Sequence, residues 1–149
     1  VAYQNALSAY KETRVRTASP GKIVVMLYDE AIKQLDRGQE LLHQYHSATK
    51  KDPSKIEHIN KAIIKARDII TELMVSLDFE QGGEIARNLF SLYTWFNREL
   101  LEANLAKDEE RVRAVRDMMN ELRGAWQEIV SKAETEGLGR STTGINIAG

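Results

Sequence analysis

The sequence predicts an all-α fold, an antiparallel up-down four-helix bundle with a short additional N-terminal helix or cap segment. Apolar residues recur at alternating three- and four-residue spacing over four long segments, which places them on one face of a helix. The chain of 149 residues has only two prolines, and each stands where one of those segments begins. Few residues join the segments, so consecutive helices must run antiparallel. With 42% hydrophobic and 29% charged residues, the composition suits one well-formed core.

Residues 2–10 form a short, weakly amphipathic segment, with Tyr3, Ala6, Leu7 and Tyr10 at spacings of three and four. A helix this short is marginal alone and needs a surface to dock on. Residues 11–17 are polar, basic and β-branched and read as an extended link. The first long helix is predicted over about residues 20–45, with Ser19 as N-cap and Pro20 in the first helical position. Its apolar stripe is Val24, Leu27, Tyr28, Ala31, Leu35, Gly38, Leu42 and Tyr45. Gly38 weakens the helix unless it allows a neighbour to approach closely. Residues 23–28 are apolar or aromatic without a break, which leaves no side of the helix for water. That stretch needs a second cover, supplied by the chain itself or by a partner.

Asp52 before Pro53 repeats the start signal. The second helix carries Ile56, Ile59, Ile63, Ala66, Ile70, Leu73 and Leu77 as its stripe, with Ile64, Ile69 and Met74 on the flanks. Residues 78–83 break the pattern with paired glycines. The third helix turns Ile85, Leu89, Leu92, Tyr93, Phe96, Leu100 and Ala103 inward, with Phe90, Trp95 and Leu101 beside them. Asp108 is the predicted cap of the fourth, whose stripe is Val112, Val115, Met119, Leu122, Trp126, Ile129 and Ala133. One domain is therefore expected over residues 1–135, with 1–17 as its cap segment. Residues 136–149 form a glycine-rich tail whose composition predicts disorder unless Ile145 and Ile147 dock on a bundle helix.

A formal net charge of −1, with both signs interspersed, disfavours nucleic acid and anionic membranes as partners. The absence of cysteine removes disulfides, thiolate nucleophiles and sulfur metal sites. No basic segment leads into an apolar signal region and no apolar run could span a bilayer, so a cytoplasmic protein is expected. A di-iron bundle needs two Glu-x-x-His pairs, and Glu40-Leu41-Leu42-His43, with His46 a turn further, is the only one. No metal site is expected. With no glycine-rich phosphate loop or nucleophile elbow, no enzymatic activity is expected either. A histidine phosphotransfer bundle is the alternative, with His58 as acceptor and Lys61 three residues on. That pattern has glycine at the next position, where this chain has Ala62. A binding module is the main reading, since an amphipathic client helix fits a broad apolar groove.

Asn5-Ala6-x-x-x-Tyr10, Thr17-Ala18-Ser19-Pro20, Met26-Leu27-Tyr28-Asp29, Ser76-Leu77-Asp78, Gly82-Gly83-Glu84-Ile85-Ala86 with Asn88-Leu89, Leu92-Tyr93, Ala103-Asn104 and Trp126 stand in this order. In this combination the chain resembles the flagellar export chaperone family FliS over roughly residues 5–130. Glu30 departs from the family, which usually has glycine after Tyr-Asp. The resemblance implies a cytoplasmic bundle, without cofactor, that binds the disordered C-terminal region of flagellin. It further implies that the bundle prevents premature polymerisation and helps deliver flagellin to the flagellar type III export gate. Leu7 and Tyr10 match the family's client-contacting positions. Helix geometry adds Ile23, Met26, Ile64 and Ile69 as the expected groove.

Overall fold

A computed structural model describes the backbone of residues 20–148 and the side chains of residues 21–136. Four helices account for nearly all of it: α1 (Pro20–Ser47), α2 (Ser54–Val75), α3 (Phe79–Ala106) and α4 (Glu109–Ala148). Each packs on the next, and α4 closes back on α1, so the four seams form a ring. The links are so short that neighbours run antiparallel, as the sequence predicts.

Side-chain oxygens fix three of the helix starts or their approaches. Asp52 Oδ1 accepts from the Ser54 backbone N–H at 3.0 Å and from the Ser54 hydroxyl at 2.7 Å. Those two bonds hold the Asp52 carboxyl below its ordinary range. Asp78 Oδ1 accepts from the N–H groups of Glu80 and Gln81. Asp108 Oδ1 serves Glu110 and Arg111 in the same way. Lys107 ends α3 in the left-handed region at φ 52°, and its ammonium donates to Asn104 and across to Asn60 on α2. Burial lowers the pKa of that ammonium.

Large side chains from all four helices fill the ring. Tyr28 and Leu35 of α1, Ile63 and Ile70 of α2, Tyr93 and Phe96 of α3, and Val115 and Met119 of α4 are almost wholly buried. Gly38 faces α2 at close range: a Cβ there would stand 3.4 Å from Ile63 Cγ1 and 3.7 Å from Ala62 Cβ.

Three elements differ from the sequence reading. First, α3 begins at Phe79, and the expected break survives inside it as Gly83, at φ 51° and ψ −124°. The turn capped by Asp78 is thus set at an angle to the rest of the helix, and Ile85, expected inward, is 72% exposed. Second, the α4 stripe steps from Trp126 to Val130, which is 5% exposed, and leaves Ile129 at 58%. Alternating steps of three and four average 3.5, short of the 3.6-residue turn, so a step of four must at intervals follow another four, as it does from Leu122 through Trp126 to Val130. Ala133 is exposed for the same reason. Third, the backbone of α4 continues through residues 137–148, which the sequence reading separated as a tail. No proline interrupts it, and each glycine costs a helix only about 1 kcal/mol. The expected docking of Ile145 and Ile147 lies outside the described side chains.

Gly83→Ala is expected to lower the stability by about 1–3 kcal/mol, because its backbone angles exclude a Cβ. Gly38→Ala is expected to raise it by up to about 1 kcal/mol, through helix propensity at a site with ordinary contact distances. Urea midpoints of the two variants check both signs.

Candidate polypeptide-binding surface

Beneath the surface at the start of α1 lies a long-range polar pair of the core. The Tyr28 and Tyr93 hydroxyls meet at 2.6 Å, buried, with the Trp126 indole beside both. Burial pushes the pKa of both phenols up, and for Tyr28 the neighbouring Tyr93 adds to the effect. Both therefore remain neutral and hydrogen-bonded through the physiological range. Next to them a largely apolar cleft of about 220 Å³ opens at the α2–α3 turn, walled by Val24, Leu77, Ile85, Leu89, Tyr93 and Trp126.

A second apolar surface follows the α2–α3 seam. Thr71 accepts a hydrogen bond from Asn97, and Asn60 accepts one from Lys107, so that flank of α2 faces α3. Ile64, one turn from Asn60 on the same flank, is 48% exposed. On α3, Phe90 and Leu101 share a stripe with Asn97 and are also exposed. Phe90 meets the ring of Phe79 edge-on at 5.8 Å, which carries the strip to the end of the bundle. Thr71 and Asn97 stand on the seam between Leu101 and Phe90, and the buried Arg67 Nε and Asn97 Oδ1 make no hydrogen bond with any described residue.

The structure divides the residues expected to form one groove. Ile23 is half-buried and packs on the core, and Met26 is half-buried on the same flank of α1. Ile64 belongs to the α2–α3 strip instead. Ile69 is wholly buried, so its placement in an open groove is corrected: it is part of the core. Five residues of helix turn about 140° beyond a full circle, which keeps Ile64 and Ile69 from sharing a face. Leu7 and Tyr10, with the Ser19 cap and the segment of residues 1–17, lie outside the described residues. The sequence reading named Phe90 and Leu101 only as flanking residues. Their spacing to Asn97 was visible, but the register of α3 against α2 was not.

Other chemistry finds little footing. His43 lies 3.7 Å from Glu109, and Glu40 accepts from the Gln44 amide, an ordinary polar helix face. Among the described residues no group of three or more His, Asp and Glu side chains could hold a metal ion. No helix among them is long and apolar enough to cross a membrane.

Fold and surface together define a class: a four-helix bundle that leaves apolar side chains exposed along its α2–α3 side. The profile described as Flagellar protein FliS matches residues 3–133. The Flagellar secretion chaperone FliS of Salmonella typhimurium is 37% identical over 123 residues, covering 82% of this chain and 84% of that protein. The Vibrio cholerae protein of the same description is 34% identical over 130 residues, covering 85% and 89%. The Bacillus subtilis protein is 27% identical over 130 residues, covering 87% and 90%. The chain belongs to the FliS family.

The tyrosine pair yields a double-mutant test. Tyr93→Phe strands the buried Tyr28 hydroxyl and is expected to cost about 1–3 kcal/mol, whereas the double change to Phe should cost less than the two single changes summed. The linkage has a definite sign. Phenols whose pKa is raised by folding stabilise the protein fully below the ordinary tyrosine pKa of about 10, and that contribution is lost as pH rises through the folded values. Urea midpoints should therefore fall more steeply above pH about 10 for the parent chain than for the double variant.

Proposed function

We propose that this chain is a cytoplasmic export chaperone that binds the disordered C-terminal region of flagellin, prevents its premature polymerisation and assists its delivery to the flagellar type III secretion apparatus. It acts by binding, with no catalytic step. The single observation that carries this reading is the exposed apolar strip of Ile64, Phe90 and Leu101 along the α2–α3 seam, in a chain of the FliS family. Those side chains leave apolar area in water that a client helix can cover, at about 25 cal/mol per Å² removed. A polypeptide that orders only on binding spends part of that gain on its own conformational entropy. Broad, shallow contact along several seams suits such a client. Ile23 and Met26 on α1 are the second proposed contact, and Leu7 and Tyr10 are proposed as client-contacting cover. The family match spans His58, and phosphotransfer through that residue gains nothing from it.

The test is titration with a peptide from the flagellin C-terminal region. Ile64→Asp places an unpaired charge in the dry centre of the proposed contact and is expected to weaken binding at least about tenfold. Met26→Asp should weaken it to a lesser degree. Ile129→Asp, on an exposed part of α4, should leave the affinity unchanged. Equal affinities for all three folded variants would remove the strip from the interface.

A further inference from the structure

The two flanks of α1 differ in charge. On the flank facing α4, Asp29 pairs with Arg123 at 2.7 Å and Asp36 with Arg116 at 2.8 Å. On the flank facing α2, Lys33 and Arg37 meet His58, Lys61 and Lys65 across a cleft of about 430 Å³, with Gln34 and Ala62 as its floor. Lys33, Arg37 and Lys61 make no hydrogen bond or ion pair with any described residue. Like charges brought together across a seam repel, and a bundle of net charge −1 has acidic residues enough to neutralise them. Here it does not: no carboxylate lines the cleft. Glu30 and Asp68 stand one helical turn beyond it, and Glu30 is engaged by the Gln34 amide. Further along the same flank of α1, at three- and four-residue spacing, come Met26 and Ile23.

We infer that the α1–α2 seam is a docking surface for an acidic polypeptide segment, distinct from the α2–α3 strip, with the segment's carboxylates on Lys33, Arg37 and Lys61. Charge complementarity selects the ligand. A polypeptide fits better than nucleic acid, since no Phe, Tyr or Trp lines the cleft and the small His58 ring is its one aromatic surface for base stacking. The seam also passes from its basic end to Met26 and Ile23, so a segment with acidic residues on one turn and apolar ones two or three turns away matches it end to end. Lys33 and Arg37 present flexible stems, and such contacts act most on encounter rate and register.

The experiment uses the full chain and a fluorescein-labelled, glutamate-rich helical peptide of about 15 residues, followed by anisotropy. Lys33→Glu/Lys61→Glu is expected to weaken binding by roughly tenfold or more, and the charge-matched control Lys50→Glu/Lys132→Glu by less than about twofold. Lys33→Gln/Lys61→Gln, which adds no negative charge, should fall between them. Affinity should drop from about 10 mM to about 150 mM salt. No saturable binding, or equal loss in the groove and control pairs, overturns the proposal. A uridine oligonucleotide that binds this groove more tightly than the peptide also overturns it, in favour of nucleic acid. Because the probe contains no flagellin sequence, its result stands apart from the Ile64→Asp titration.

Discussion

An α-helix that is apolar on every side cannot turn a polar face to water, and residues 23–28 impose that condition at the start of α1. The bundle answers it by placing α1 between α2 and α4. Val25, Leu27 and Tyr28 are buried, and Ile23, Val24 and Met26 are left half-covered. The remaining architecture follows from that enclosure. Gly38 faces Ile63 of α2, and Tyr28 reaches through the core to the hydroxyl of Tyr93. A buried phenol without a partner is costly, so this bond ties the first helix to the third across the diagonal of the ring.

Four helices in a ring give each helix two neighbours and one face toward solvent. Any helix whose apolar width exceeds its two seams must show the excess outside. On α2 and α3 the excess appears as Ile64, Phe90 and Leu101, while α4 carries charges such as Arg113 and Glu110 on its outside as well as the exposed Ile129. Exposed ion pairs of that kind contribute at most about 1 kcal/mol each to stability, and their effect is to keep that face soluble. The stretch of α4 around Arg113 thus stays wet, while the α2–α3 seam leaves apolar area exposed. Exposed apolar area of that kind is consistent with membership of the FliS family.

Much of the fold could be read from periodicity. Stripes such as Ile59, Ile63, Ala66, Ile70 and Leu73 came out inward, and the starts near Asp52 and Asp108 were marked by short side chains that bond backbone N–H groups. The misreadings have local causes. Ile85 turned outward because Gly83 redirects the chain, and Ile129 yielded to Val130 because a 3.6-residue turn needs more steps of four than of three. The site was less legible, since which flank of one helix meets which flank of another depends on register. Ile64 and Ile69 are close in sequence yet lie on different faces, one on the surface and one in the core. The meeting of Lys33 and Arg37 with Lys61 and Lys65, which lie about 30 residues away in sequence, likewise exists only once α1 and α2 are aligned.

The central claim is that the open α2–α3 seam is where a client polypeptide lies. Hydrogen exchange reports this without altering the protein, because helix amides beside a covered seam open less often. With the flagellin C-terminal peptide bound, the account predicts added protection concentrated in α2 around Ile64 and in α3 between Phe90 and Leu101. Saturating peptide that leaves those amides exchanging at their free rates, while protecting α4 around Arg113, would contradict it.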